Sequence, residues 1–380
     1  MSRKISTAIP LDDHRTTPLP ALAEYAGALR GTGAVDFVYL WDELSTWFPK
    51  ELWTPKNSPA ADFVDGGALY DPFIEAGYIA AKNPDIGLRL STDSLRSGPA
   101  ELLRRLLTLA NATSGPVVCA IGAGEARQTK PFGYKRAEGL KRLEDTLALV
   151  RKLYDAQEPI SYEGHFWNYT NAFMGDARPA IRPEFWALGG GPTLLEIAAK
   201  HADGFEAAVP QAITNPDKFA QLVRSLREKV EANGRDPQKF GMGIWLVCAT
   251  HDDPDVLDVV LDNPLIKYFA ACNGRVDGKN WAEVGITPVM PEGWNYPTHW
   301  LPAEHPAAEI RDIVARTSNE LVRKSFYCGT PDYLTGVCRE YIDAGADFVS
   351  IADMTPMVLG PADGAASIQR AVKTFQALKS

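Results

Sequence analysis

The chain predicts an α/β fold, a (β/α)8 barrel, and three observations carry that expectation. Eight short apolar runs recur along the 380 residues, helical patterns separate them, and no dinucleotide-binding glycine turn follows the first run. Strands that alternate with helices pair in parallel through right-handed crossovers. Eight such units suggest a closed barrel, and barrels reach this length as one domain. The rival doubly wound sheet would carry a G-x-G-x-x-G turn after strand one. At Gly122-x-Gly124 the third glycine position holds Arg127, so that fingerprint fails.

The predicted strands cover residues 5–11, 35–40, 86–90, 116–122, 185–188, 204–209, 243–248 and 347–351, each a short apolar run. Between strands one and two, Pro20 suits a first helical turn, and Gly31 to Gly33 stop a helix over 20–29. Leu102, Leu103, Leu106 and Leu107 mark a helix over 100–110. Over 137–156, Leu140, Leu143, Leu147, Val150 and Tyr154 form one stripe of a 3.6-residue helix. Thr330 before Pro331 is a helix start, and Ile368, Ala371, Val372, Phe375 and Leu378 stripe the last helix. The whole chain, 1–380, reads as one domain with insertions near 158–175 and 264–306. The first, with Tyr162, Phe166, Trp167 and Tyr169, is expected to be a small hairpin over the barrel mouth. Within the second, residues 286–306 hold five prolines with Trp294, Tyr296 and Trp300, which rules out a helix there and points to a functional or packing loop.

A hydrophobic share of 45% and a charged share of 23% are ordinary globular values. Net charge of −9 argues against a general nucleic-acid or membrane-surface binder. Five cysteines without a C-x-x-C pair indicate neither a disulfide framework nor a zinc knuckle, and Cys119 and Cys248 read as buried small hydrophobes. The N-terminus lacks the apolar stretch of a signal peptide, and no apolar run approaches 18 residues, so no membrane span and a cytoplasmic setting are expected. Six histidines show no metal-binding spacing, and no G-x-S-x-G elbow occurs.

Barrel sites lie at the C-terminal strand ends. That rule selects Trp41, Asp42, Glu43 and Trp47 after strand two, Ser91 to Asp93 after strand three, Ala123 to Glu125 after strand four, and Gly189 to Pro192 after strand five. Gly189-Gly-Gly-Pro192 opens a helix, so its amides make an anion seat or, alternatively, a tight unliganded turn. A carboxylate beside an apolar mouth can have a raised pKa and donate a proton; Asp42, Glu43 and Glu125 fit that role or that of solvated loop acids. Arg127, Lys130, Lys135, Arg136, Lys141 and Arg142 either receive an anionic tail or form a solvated helix start.

With these residues in place, the chain resembles the luciferase-like barrel superfamily, in its deazaflavin-dependent branch. The resemblance is carried by residues 35–43, by Ile121-Gly-Ala-Gly-Glu-Ala126 with Pro131-Phe-Gly133, by residues 183–192, by Ala202-Asp-Gly204, and by Tyr327-Cys-Gly-Thr-Pro-Asp332 with residues 344–348. The second insertion looks most like that of the phthiodiolone ketoreductase type. The resemblance implies a homodimer that binds reduced coenzyme F420 and moves a hydride to or from a carbonyl or activated double bond of an apolar small molecule. It implies that Asp42, Ala123, Gly124, Glu125, Leu188, Gly189, Gly190 and Gly191 bind the cofactor, and that a non-prolyl cis bond at Arg89–Leu90 supports its ring. Glu43, Glu125 and Trp47 would serve the chemistry. The chain departs from the family pattern at Glu43, where a histidine is usual, so glutamate would have to be buried to exchange a proton near neutrality. A reduced-FMN monooxygenase on the same fold is the alternative, and a cofactor-binding protein without turnover a third reading.

Overall fold

The computed structural model describes residues 4–11, 14–15, 17–175 and 178–380; Met1–Arg3 of the N-terminal stretch lie outside them. Eight parallel strands close a barrel: β1 (Ser6–Pro10), β2 (Phe37–Trp41), β3 (Gly87–Asp93), β4 (Val117–Gly122), β7 (Glu184–Leu188), β8 (Gly204–Val209), β9 (Gly241–Thr250) and β11 (Phe348–Asp353). Pairing runs β1–β2–β3–β4–β7–β8–β9–β11 and returns to β1, with Ala8 opposite Phe37 and Ser6 opposite Phe348 at the seam. These are the eight predicted strands, with individual ends shifted by up to three residues in either direction.

Strand alternation sorts the side chains. Along β2, Phe37, Tyr39 and Trp41 face the barrel interior, while Val38 and Leu40 meet the outer helices. Trp186 fills the interior because Gly204 and Gly241 leave room; a Cβ on either would come within 2.5 and 2.1 Å of the indole. The helices Leu19–Gly31, Pro99–Ala112, Gly139–Asp155 and Pro361–Lys379 bury the predicted stripes against the strands. Side chains cap where the sequence offers them: Asp71, Asn215 and Thr330 accept from first-turn amides, each with a proline opening the helix.

The two insertions add structure of their own. The first is the expected hairpin, β5 (Ile160–Glu163) antiparallel to β6 (Asn168–Ala172). The second opens with the helix Pro264–Asn273 and then builds its own core, where Phe269, Trp281 and Trp300 are buried. Contrary to expectation, residues 286–306 include one helical turn, Tyr296–His299, because Pro297 occupies a first-turn position that needs no amide. A short strand, β10 (Tyr327–Gly329), absent from the predicted set, extends the sheet beside the far end of β9. All five cysteines are free, and Cys119 and Cys248 are buried. No helix among the described residues is long and apolar enough to cross a membrane.

Candidate active site

The loop after β2 and the turn after β4 are tied together by one glutamine. Gln128 Oε1 accepts from the amides of Leu44 (2.6 Å) and Ser45 (3.1 Å). This brings Glu43 and Glu125 to a shared cation. Arg127, 2% exposed, donates from Nη1 to Glu43 Oε2 at 2.6 Å and from Nε to Glu125 Oε2 at 2.9 Å. Its guanidinium carbon lies 3.6 Å from the centre of the Trp47 ring. Trp47 in turn packs edge-on against Phe269 and tilts against Trp300, 5.6 and 5.7 Å between ring centres. Tyr296, from the one-turn helix of the second insertion, lies near enough to feel the charges of Glu125, Arg127 and Glu43.

One guanidinium between two carboxylates leaves a net negative charge when both acids are ionised. Burial raises the Glu43 pKa above the ordinary carboxylate range; Arg127 opposes that shift and Glu125 adds to it. A proton on Glu43 costs Arg127 little, because Glu125 still neutralises it. Burial, then the Glu125 charge, pushes the Tyr296 phenol well above its usual range. Asp42 belongs to a neighbouring cluster. Thr92 Oγ1 donates to it at 2.6 Å and Arg96 Nη1 at 2.9 Å, and Arg96 also holds Asp93. Burial raises the Asp42 pKa in spite of Arg96.

A cavity of about 590 Å3 opens at this end of the barrel, within the roughly 300–1,000 Å3 of small-molecule sites. Glu43, Trp47 and Tyr296 line it, as do Trp41 and Trp245, which meet 5.1 Å apart. It extends over the ends of β1, β2, β9 and β11. The strand-four and strand-five turns lie on the opposite side. Gly122 pairs with Leu188, so those two turns are neighbours.

At Gly124 the backbone has φ +82°, and a Cβ would sit 2.7 Å from Leu95 Cδ1; the position needs glycine for conformation and packing. Gly189 and Gly191 also take positive φ, and the Gly189 amide already donates to Glu206 O at 3.1 Å. Gly190 and Gly191 are therefore the residues of that turn with amides to offer, at the start of the helix Pro192–His201, which no side chain caps. Open space surrounds Gly191, and the nearest atom to a Cβ on Gly190 would be 3.9 Å away. These features fit an anionic group of a flat ring cofactor at the β4–β7 edge.

Two expected cofactor residues lie elsewhere. Arg89 sits inside the barrel, 1% exposed, donating to Glu206 Oε2 from Nε at 3.0 Å and stacked 3.8 Å from the Phe348 ring centre. Leu90 points outward into the strand–helix core. Their peptide is not cis: the cis bond among the described residues is Val209–Pro210. The basic run also divides. Arg127 is neither a tail receptor nor a solvated charge but the buried centre of the site, while Lys130 pairs with Glu304 and Arg142 with Glu138. Of the residues selected from the sequence, the structure brings Glu43, Trp47 and Glu125 to Arg127 and leaves Asp42 in the neighbouring cluster; sequence reasoning missed the bridging role of Arg127 and singled out Tyr296 only as one aromatic of a loop. Among the described residues no cluster of three or more histidine, cysteine or acidic side chains could hold a metal.

The model of the luciferase-like monooxygenase family matches residues 46–347. The phthiodiolone/phenolphthiodiolone dimycocerosates ketoreductase of Mycobacterium sp. (strain JLS) is 30% identical over 255 residues, 65% of each chain. That of Mycobacterium tuberculosis (strain ATCC 25618 / H37Rv) is 26% identical over 340 residues, 87% of this chain and 86% of its own. An F420-dependent glucose-6-phosphate dehydrogenase from Kineococcus radiotolerans is 27% identical over 209 residues, 53% of this chain and 60% of its own. Among solved structures, an F420-dependent secondary alcohol dehydrogenase with an F420-acetone adduct superposes with a TM-score of 0.67 at 16% identity, covering 93% of this chain and 94% of that one. A riboflavin lyase with modified FMN gives 0.68 at 14% identity, covering 99% and 92%.

Proposed function

The chain belongs to the luciferase-like monooxygenase family, and from that premise we propose that it is a coenzyme F420-dependent oxidoreductase acting on a carbonyl or activated double bond of an apolar molecule. The observation that carries the reading is the Glu43–Arg127–Glu125 cluster, whose Glu43 lines an apolar cavity. The names of the relatives, a ketoreductase and an F420-dependent dehydrogenase, support the same chemistry.

In this reading Asp42, Ala123, Gly124 and Leu188 border the cofactor ring, and the amides of Gly190 and Gly191 hold its phosphate. The reduced deazaflavin, when bound, supplies the hydride. Arg127 orients both glutamates. The Glu43 carboxyl, buried and lining the cavity, holds the proton that a reduced carbonyl oxygen takes up. Trp47, Trp41 and Trp245 exclude water and present apolar faces to the substrate. Homodimerisation belongs to the same proposal.

Cofactor titration tests it. Reduced F420 is expected to quench the tryptophan fluorescence with micromolar or tighter affinity, and FMN to do so weakly. Tight FMN binding without F420 binding would favour the monooxygenase alternative. Binding of F420 with no oxidation of its reduced form by any ketone would leave a binding protein without turnover.

A further inference from the structure

The segment that carries Glu43 has little of its own to hold it. Leu44 is 42% exposed, so its side chain gives no anchor in the core. The grip comes from two adjacent residues across the mouth. Arg127 Nη1 donates to Glu43 Oε2 at 2.6 Å and to Ser45 O at 2.7 Å. The amides of Leu44 and Ser45 donate to Gln128 Oε1 at 2.6 and 3.1 Å. Backbone amides can only donate, so the bonded atom of Gln128 is its oxygen and the orientation of its carboxamide is fixed. Nε2 is thereby left buried without a hydrogen-bond partner, in a residue 4% exposed. An unsatisfied buried donor is destabilising, and a native structure that keeps one calls for a reason. Glutamate would accept from the same two amides with no donor left over. It would also add a third carboxylate to a cluster that holds Glu43, Glu125 and one guanidinium. Glutamine supplies the acceptor without the charge.

We propose that Gln128 is a positioning residue for Glu43: its neutral carboxamide oxygen holds the segment 43–45 so that the Glu43 carboxyl meets Arg127, and adds no charge beside the exchanged proton. The role of that proton rests on the functional reading above; the hold on the segment does not. The groups that set the charge around Glu43 are Arg127 and Glu125 from the strand-four turn, Arg96 from the loop after β3 and Tyr296 from the second insertion, with Asp42 next to it in the chain. A displacement of about 1 Å at a reacting group can cost on the order of 10²-fold in rate, so a loosened segment shows first in turnover.

The test uses the full chain. Hydrogen exchange over residues 42–48, read by mass spectrometry without cofactor, reports the hold directly. In Gln128→Met the exchange of these amides is expected to quicken about tenfold or more, and in Gln128→Glu to stay as in the wild type, because a carboxyl oxygen accepts as the amide oxygen does. Gln128→Asn, which withdraws the acceptor by one methylene, takes the place of the methionine variant if that one does not fold. With reduced F420 and a ketone, Gln128→Met is expected to lower kcat about tenfold or more and to change KM less than about threefold. In a Glu43→Gln background the same substitution should lower kcat less than about threefold, because the group it positions is already gone. Gln128→Glu should move the alkaline limb of the pH profile to higher pH, since added negative charge favours the protonated form of Glu43. Unchanged exchange in Gln128→Met, or kcat losses that multiply with those of Glu43→Gln, would overturn the proposal; a limb that stays in place in Gln128→Glu would overturn its charge argument. If the wild type reduces no ketone, the redox reading fails and the exchange result alone decides the positioning role.

Discussion

The site turns on how one arginine is shared. Arg127 is held by Glu43, Glu125 and the Trp47 face, and none of these partners is adjacent to the other two in sequence. Replacing it with methionine leaves the largely buried Glu43 and the partly exposed Glu125 without their cation, so the loss of stability should be up to about 3 kcal/mol. Urea denaturation measures this, and adding Glu43→Gln should restore part of it. Glu43 also sets a pH dependence. Its pKa is raised, so its protonated form persists to higher pH than that of an exposed glutamate. Reduction, which consumes that proton, should be fastest below the raised pKa and slow as pH climbs through it, while the oxidative direction gains over the same interval. Glu43→Gln should lower kcat by about 10²–10⁴-fold and flatten this limb; an unchanged pH profile in that variant would assign the proton to another group. Glu43 and Glu125 were legible as acids at strand ends. Their pairing was not, because the cation that joins them lay in a basic run that a solvated helix start would also produce.

The insertions illustrate what an element needs beyond its pattern. The hairpin of β5 and β6 follows from its aromatic alternation, yet its attachment depends on a residue in the helix Gly139–Asp155. Asp145, 1% exposed, accepts from the amides of His165, Phe166 and Trp167 at 3.0, 2.7 and 3.2 Å. Asp145→Ala should cost about 1–3 kcal/mol and open the segment 160–172 to limited proteolysis, because three part-buried amides lose their acceptor. Residues 286–306 of the second insertion were predicted to be free of helix on their proline count. They contain a turn of helix because proline in a first turn gives up an amide that would be unpaired anyway. That turn places Tyr296 over Glu125, where Phe at this position should keep the fold and weaken the contact between loop and site.

At the scale of the whole molecule, the barrel has a charged interior. Arg89 and Glu206 are 1% and 0% exposed, with Tyr39 hydrogen-bonded to the same carboxylate at 3.2 Å. Such a pair is weak grounds for net stability, but removing one partner isolates a charge. Arg89→Met alone should therefore lower Tm strongly, at a cost of about 3–5 kcal/mol, and Arg89→Met with Glu206→Gln should recover most of it. If the single and double variants melt alike, the pair is not what holds the interior. The sequence by itself determined the barrel, its eight strands and the acids at its mouth, because hydrophobic period and strand-end position are local properties of the chain. It did not determine which charges meet. The Arg89–Leu90 peptide was expected to support the cofactor ring, yet Arg89 lies inside the barrel; Arg127 was read as receiving an anionic tail or as part of a solvated helix start, and lies buried between Glu43 and Glu125. Only the closed tertiary structure decided these, since a buried charge must find its counterion across strands that are far apart in sequence and adjacent only once the barrel has closed.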